Sequence, residues 1–143
     1  PHQSSNLLGS FLKFTYIENP GIVFGIDVNS FLYRIITILS IIIIIYIYLL
    51  MKKIYHEDTN GHLAMISLSL ISGGAVGNLI DRLFVIFGLF NYHGVIDFID
   101  IGIPFYRFYI FNIADMCVSI GIILFIYYNY NQKNELNDYA EKI

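Results

Sequence analysis

The sequence predicts an all-α polytopic membrane protein, and three observations support this fold class. Hydrophobic residues make up 57% of the 143 positions and charged residues only 13%, whereas a soluble domain has about 25% charged residues. The mean hydropathy is +0.65. The apolar residues form three runs, each near the ~20 residues that a helix needs to cross a hydrocarbon core of ~30 Å. We therefore expect residues 1–143 to form a single membrane-embedded domain.

The N-terminal part of the chain is too polar to span a membrane. Residues 11–26 read FLKFTYIENPGIVFGI, in which charged side chains and a turn signal at Pro20-Gly21 interrupt the apolar pattern. We predict a small extended, β-like interfacial segment here and place residues 11–30 on the extracytoplasmic side.

The predicted spans are residues 31–51, 63–83 and 108–128. The second span becomes rich in glycine and polar side chains towards its end, so that end must face protein or water. Residues 84–107 mix aromatic and β-branched residues with glycines and a proline, which predicts an irregular re-entrant or interfacial loop. The polar tail, residues 129–143, is predicted to be a solvated terminal helix or a frayed end.

The orientation follows from the charges beside the first span. Lys52 and Lys53 favour a cytoplasmic position for the next loop under the positive-inside rule, although the eight lysines and arginines, these two included, are equally divided between the two sides. The polar cluster, which is the polar end of the second span together with the loop and the start of the third span, then faces outside. The tail lies in the cytoplasm. Because an odd number of spans places the N-terminus outside and the sequence begins at Pro1, we expect a four-helix transmembrane bundle whose first span is missing here.

The second span carries two stripes of small and polar residues. Gly74, Asn78 and Arg82 recur at intervals of four, as do Gly73, Gly77 and Asp81, so each set lies on one helical face. Small residues at this spacing favour close helix packing, which we expect of Gly73 and Gly77. That packing does not explain the polar members, which are either interfacial charges or functional groups.

Two polar side chains lie near the start of the third span. Asn112 and Asp115 are three residues apart, and a carboxylate in a spanning helix is costly unless it has a partner or a function. Asp97 and Asp100 in the preceding loop are both candidate partners, and spacing alone selects neither. Two carboxyls close together share one proton, which is the apparatus of an aspartyl protease.

Other catalytic sites have less support. His93, Asp97 and Asp100 could ligate a metal, but HExxH is absent. No G-x-S-x-G motif is present, and Lys52 and Lys53 lie at the opposite membrane face from the cluster, which disfavours a serine–lysine dyad.

Four ordered motifs resemble those of bacterial lipoprotein signal peptidase, signal peptidase II. They are ENPGIVFGI at 18–26, GGAVGNLIDRLF at 73–84, GVIDFIDI at 94–101 and FNIADMCVSIG at 111–121. The resemblance covers the chain from about residue 11. It implies an intramembrane aspartyl endopeptidase that removes the signal peptide from diacylglyceryl-modified prolipoproteins, just before the lipidated cysteine.

The resemblance also implies roles for individual residues. It selects Asp97 over Asp100, so the catalytic pair is Asp97 and Asp115. The expected substrate-binding or supporting residues are Asn19, Gly74, Asn78, Arg82, Asn112 and Ala114. Of these, Asn78 and Asn112 would bind substrate backbone or orient the carboxylates, and Arg82 would hold the loop by charge-assisted bonds.

The expected partners are the lipidated prolipoprotein and membrane lipid. The resemblance also implies globomycin-type inhibitors, no cofactor and no metal. We expect a monomer in the bacterial inner membrane, with its active site near the outer face. No nucleic-acid partner is expected, since the net charge is −3 and no basic cluster is present. The alternatives from other classes are a small proton-coupled transporter and a noncatalytic membrane assembly subunit. A transporter should show internal repeats, and the three spans show none.

Overall fold

Three long helices and a small sheet make up the computed structural model, which describes residues 4–20, 29–57 and 61–140. In this part of the chain, the helices are α1 (Ser30–Glu57), α2 (His62–Ile86) and α3 (Ile113–Ala140), and the strands are β1 (Ser4–Leu8), β2 (Leu12–Asn19), β3 (Val95–Ile103) and β4 (Tyr106–Arg107). A short 3₁₀ turn, Leu89–Asn91, follows α2. This architecture confirms the predicted fold class, a helical polytopic membrane protein with a small β segment.

All three helices are long and apolar enough to cross a membrane, over Ser30–Glu57, His62–Ile86 and Ile113–Glu135 of the described residues. Isoleucine and leucine side chains of α1 point outwards; Ile38, Ile42 and Ile45, for example, are exposed. Such a surface is stable against lipid but not against water. Helix α3 continues to Ala140, so the predicted terminal helix is found there, whereas residues 141–143 lie outside the described part. The fourth span stays a prediction.

Hydrogen bonds within α1 allow polar residues in this apolar helix. Asn29 begins it as an N-cap, because its Oδ1 accepts from the Leu32 amide at 2.9 Å. The hydroxyls of Thr37 and Ser40 donate to the carbonyls of Tyr33 and Ile36, at 2.8 and 2.9 Å. These bonds within the helix satisfy hydroxyl groups that would otherwise be costly to bury.

Helices α2 and α3 approach each other most closely at glycines. A Cβ on Gly121 of α3 would lie 2.7 Å from the Ser67 carbonyl oxygen and from Ile71 Cγ1 of α2. Both distances are well below an ordinary contact of ~3.5–4.0 Å. The absence of a side chain at Gly121 therefore lets the two backbones pack directly.

The sheet is an antiparallel meander in the order β1-β2-β3-β4. Strand β3 pairs with β2, for example Asp97 opposite Ile17, and on its other edge with β4. An isolated bridge joins Ile99 to Phe111. This bridge places Asn112 and the start of α3 against the middle of β3. Because α2 ends and α3 begins beside β3, the sheet lies at one end of these two helices.

The region 84–107 differs from the irregular loop that its glycines and proline predicted. Residues 95–103 form a regular strand with buried positions along its length, since the β-branched residues of VIDFIDI find hydrogen-bond partners on both edges. The extended structure predicted for residues 11–26 is confirmed over Leu12–Asn19. The turn predicted at Pro20-Gly21 stays a prediction, because Gly21 lies outside the described residues.

Candidate active site

The first turn of α3 carries a reciprocal cap formed by Asn112 and Asp115. The Asp115 amide donates to Asn112 Oδ1 at 3.0 Å, and the Asn112 amide donates to Asp115 Oδ2 at 3.1 Å. In such a capping box, the N-cap and the third helical residue satisfy each other's free N–H groups. The positive end of the helix dipole also favours a carboxylate here. The three-residue spacing predicted a shared face, but the cap was missed, although N-x-x-D ahead of an apolar run is a helix-start signal.

Asp97 lies in the middle of β3 and is only 4% exposed. Its Oδ2 accepts from Asn19 Nδ2 at 3.0 Å, and its Oδ1 accepts from Asn112 Nδ2 at 2.8 Å. Burial raises the pKa of Asp97 above the usual aspartate value, and the nearby charge of Asp115 raises it further, while the bonds from Asn19 and Asn112 oppose the shift. Burial in this environment therefore favours the protonated form of Asp97.

Two asparagines connect the carboxyl groups of Asp97 and Asp115. The Asn112 side-chain amide uses its two hydrogens on Asp97 Oδ1 and on Asn78 Oδ1, the second at 3.0 Å. Asn78 in turn donates from Nδ2 to Asp115 Oδ1 at 2.8 Å. Since Asn112 is only 4% exposed and its side-chain oxygen is occupied by the Asp115 amide, its orientation has no freedom left.

Asp100, the alternative to Asp97, belongs to a separate network. Successive residues of a strand point to opposite faces, so Asp100 points away from the face that carries Asp97. Its carboxylate accepts from Thr15 Oγ1 at 2.8 Å and pairs with Arg107 Nε at 2.6 Å. Arg107 also donates to the carbonyl of Ser10 at 2.7 Å. Asp100 therefore holds β2, β3 and β4 together.

The glycine stripes of α2 have different surroundings from those that the spacing predicted. A Cβ on Gly74 would overlap the carbonyl of Ala114 and lie 2.8 Å from Val118 Cγ2, and one on Gly77 would lie 3.2 Å from Ala114 Cβ. No described atom lies within 4 Å of the same point at Gly73, which is exposed. The predicted packing is thus found at Gly77, whereas Gly73 has no such neighbour among the described residues, because the helix turns that position away from α3.

Asp81, rather than Arg82, contacts the segment that carries Asp97. The Asp81 carboxylate accepts from the Ile96 amide at 3.1 Å, whereas Arg82 donates through a terminal nitrogen to Ser40 Oγ of α1 at 3.3 Å. The Arg82 Nε is buried with no hydrogen-bond partner among the described residues. The expected loop-holding role of Arg82 therefore has no bond to support it, and this arginine faces the interior between α1 and α2 instead.

Two cavities meet at Asp97. The larger, about 460 Å³, lies between the three helices and is lined by both carboxyls and by groups from each helix, among them Ser40, Asn78 and Val118. The smaller, about 250 Å³, lies on the sheet side; its described lining residues are Ile17, Glu18, Asn19, Pro20, Asp97, Tyr109 and Ile110. Asn19, Asp97, Tyr109 and Ile110 line both cavities. An extended chain lying across Asp97 can therefore occupy both.

The side chains considered as metal ligands have separate partners. His93 contacts Glu18 at 3.2 Å, Asp97 contacts asparagines, and Asp100 pairs with Arg107. Within residues 4–20, 29–57 and 61–140, no three histidine, cysteine or acidic side chains are grouped as a metal site would require. The arrangement offers general acid and base groups instead.

Comparison with known proteins identifies the family. The model of the family described as Signal peptidase (SPase) II matches residues 1–131. The lipoprotein signal peptidase of Clostridium tetani is 41% identical over 121 residues, which are 84% of this chain and 70% of that protein. The one from Borrelia hermsii is 38% identical over 140 residues, which are 93% of this chain and 76% of that protein. This similarity favours a peptidase over the transporter and assembly-subunit alternatives.

Solved structures give the same result for the fold. A bacterial membrane enzyme matches with a TM-score of 0.70 and 32% identity over 93% of this chain and 74% of that one. A second structure, also described as a bacterial membrane enzyme, matches with a TM-score of 0.66 and 34% identity over 87% of this chain and 72% of that one. The chain thus belongs to the signal peptidase II family, and it is a multi-pass membrane peptidase of the kind that processes the signal peptides of prolipoproteins.

Proposed function

We propose that this chain is an aspartyl endopeptidase that cuts diacylglyceryl-modified prolipoproteins just before the lipidated cysteine, with Asp97 and Asp115 as its catalytic pair. One observation carries the proposal: Asn112 bonds to both carboxyl groups, through its side chain to Asp97 and through its backbone amide to Asp115. Both carboxyls line the cavity between the helices. They can therefore act on one bound peptide bond.

The two carboxyls divide the acid and base roles by environment. Asp97 is buried in the sheet and its pKa is raised, so it holds the proton. Asp115 accepts two N–H bonds at a helix N-terminus and acts as the ionised base. Asp115 takes a proton from water, the water oxygen attacks the scissile carbonyl, and Asp97 donates its proton to the carbonyl oxygen. The C–N bond then breaks as a carboxyl proton passes to the leaving nitrogen.

The position of the larger cavity suits a lipidated substrate. It lies among the spanning helices, and its lining includes apolar side chains such as Ile43 and Val118. The diacylglyceryl chains can remain in the bilayer while the peptide bond before the cysteine reaches the carboxyls. This geometry, together with the positive-inside orientation, supports our proposal that the substrate enters laterally from the outer leaflet of the inner membrane. Both carboxyls come from one chain, which supports a monomer.

The supporting side chains have roles in the same proposal. Asn19, Asn78 and Asn112 orient the carboxyls by direct hydrogen bonds. Gly74 and Ala114 bring α2 and α3 together beside Asp115. Arg82 lines the larger cavity, and its guanidinium, whose Nε has no hydrogen-bond partner among the described residues, is placed to turn towards a carbonyl oxygen of the substrate.

The proposal is tested by reconstituting the chain in liposomes and measuring cleavage of a substrate. The substrate is a diacylglyceryl-modified prolipoprotein, compared with the same protein without the lipid. Asp97→Asn and Asp115→Asn should each lose cleavage while keeping their helical circular dichroism. Glu57→Gln, whose side chain is 66% exposed at the far end of α1, is the matched control and should cleave normally. Normal cleavage by either aspartate variant would exclude the dyad, and equal cleavage of the unmodified substrate would exclude the lipid requirement.

A further inference from the structure

The smaller cavity carries a fixed negative charge that the catalytic proposal does not use. Glu18 lines this cavity beside Asn19, and its side chain is 24% exposed. Its Oε1 accepts from the Tyr16 hydroxyl at 2.7 Å, and its Oε2 accepts from the His93 backbone amide at 2.8 Å. The carboxylate is thereby held in one place by a donor on each oxygen.

The electrostatic surroundings keep this group ionised. The hydrogen bonds from Tyr16 and His93 lower the pKa of Glu18. The bond between Tyr16 and Glu18 also raises the pKa of Tyr16 to about 12. The ionisable groups that act on Glu18 are Tyr16 of its own strand and His93 of the loop before β3. Tyr92 and Asp81 act on Tyr16, and Asp97 lines the same cavity. Among the described residues that line the smaller cavity there is no lysine or arginine, and since Asp97 holds a proton in the proposed mechanism, Glu18 supplies the negative charge of this lining.

The place of this cavity indicates which part of a substrate it receives. The hydrophobic signal peptide suits the larger cavity, since that one lies between the spanning helices. The part of the substrate that follows the scissile bond must then leave on the sheet side, past Asn19 and Pro20 of the smaller cavity. We propose that the smaller cavity binds the residue that follows the lipidated cysteine, and that Glu18 makes it favour basic over acidic side chains there. This inference rests on the proposed function.

Three lipidated peptides that differ only in the residue after the cysteine test the inference. That residue is lysine, serine or aspartate, and kcat/KM is measured at about pH 8.5, where a histidine side chain is neutral. The chain should cleave the lysine peptide about three- to fivefold faster than the aspartate peptide, the size expected of a partly exposed charge pair. Glu18→Gln should bring that ratio close to one, whereas the control Glu57→Gln should retain it. A structural role of Glu18 alone would slow all three peptides equally.

Salt gives a second measurement that does not depend on folding of a variant. At about 1 M salt the Debye length falls to ~3 Å, so the lysine-to-aspartate ratio of the unmodified chain should also fall towards one. Equal rates for the three peptides at low salt, or an unchanged ratio in Glu18→Gln, would overturn the inference and leave the peptidase proposal standing. No cleavage of any peptide would instead overturn the proposed function, and the inference with it.

Discussion

Gly74→Ala is the substitution that connects helix packing most directly to the active site. Gly74 of α2 lies against the backbone of Ala114, the residue before Asp115. The added Cβ would overlap the Ala114 carbonyl and lie 2.8 Å from Val118 Cγ2. Neither neighbour can move alone, because the first belongs to the helix backbone and the second is attached to it. Helix α3 must therefore shift as a unit.

The size of the shift and its consequence can be worked from the contact distances. An ordinary carbon contact is ~3.5–4.0 Å, so α3 must move away from α2 by about 1 Å. The bond of 2.8 Å between Asn78 and Asp115 crosses this interface and would lengthen beyond hydrogen-bond range. Misplacement of a catalytic group by ~1 Å costs about 100-fold in rate, and overpacking of this kind costs about 1–3 kcal/mol of stability.

Gly73→Ala is the matched control, because it adds the same methyl group at the next position of the same helix. No described atom lies within 4 Å of that methyl, and alanine is favoured over glycine in a helix by ~1 kcal/mol. Initial cleavage rates of lipidated prolipoprotein in liposomes should fall about 100-fold for Gly74→Ala and stay unchanged for Gly73→Ala. Melting temperatures should fall for the first variant only. If Gly74→Ala cleaved as fast as Gly73→Ala, the packing of α2 on Ala114 would not position Asp115, and the reasoning would be refuted.

Three further substitutions separate the roles of the polar residues. Asn112→Ala should lose all cleavage, and it should lose about 1 kcal/mol of stability because the N-cap of α3 is removed. Asn112→Ser restores a capping side chain, so it should recover the stability in thermal unfolding but not the cleavage. Recovery of both would contradict the role of Asn112 in bridging the two carboxyls. The pKa of folded Asp97 is raised, so the wild-type chain loses stability as pH rises through that pKa. Its melting temperature should therefore fall relative to that of Asp97→Asn between acidic and neutral pH. A difference in melting temperature that stays constant over this range would argue against the raised pKa. Asp100→Asn removes the charge that Arg107 pairs with and should lower stability by about 1–2 kcal/mol, while the folded fraction cleaves normally; loss of cleavage by that fraction would place Asp100 in the active site.

The spans and the candidate residues could be predicted because their signals are local. The energy of inserting a helix into lipid is a sum over its own ~20 residues, and α1 and α2 contain the predicted spans 31–51 and 63–83. Helix α3 contains residues 113–128 of the predicted span 108–128, but residues 108–112 precede it, because Phe111 bridges to β3 and Asn112 caps the helix. Strand β3 was missed as a strand because its stability depends on β2, which is far away in the sequence. Glycines and a proline nearby made residues 84–107 resemble an irregular loop.

The sequence by itself determined that this chain is a polytopic membrane protein with the motifs of the signal peptidase II family. Only the tertiary structure decided that Asp97 and Asp100 belong to different networks, that Gly74 rather than Gly73 contacts α3, and that Asn112 joins the two carboxyls. Spacing gives the face on which a side chain lies, but not what faces it. The partner of each group depends on how distant elements pack, and that packing sets the burial and the hydrogen bonds on which the acid and base roles proposed for Asp97 and Asp115 depend.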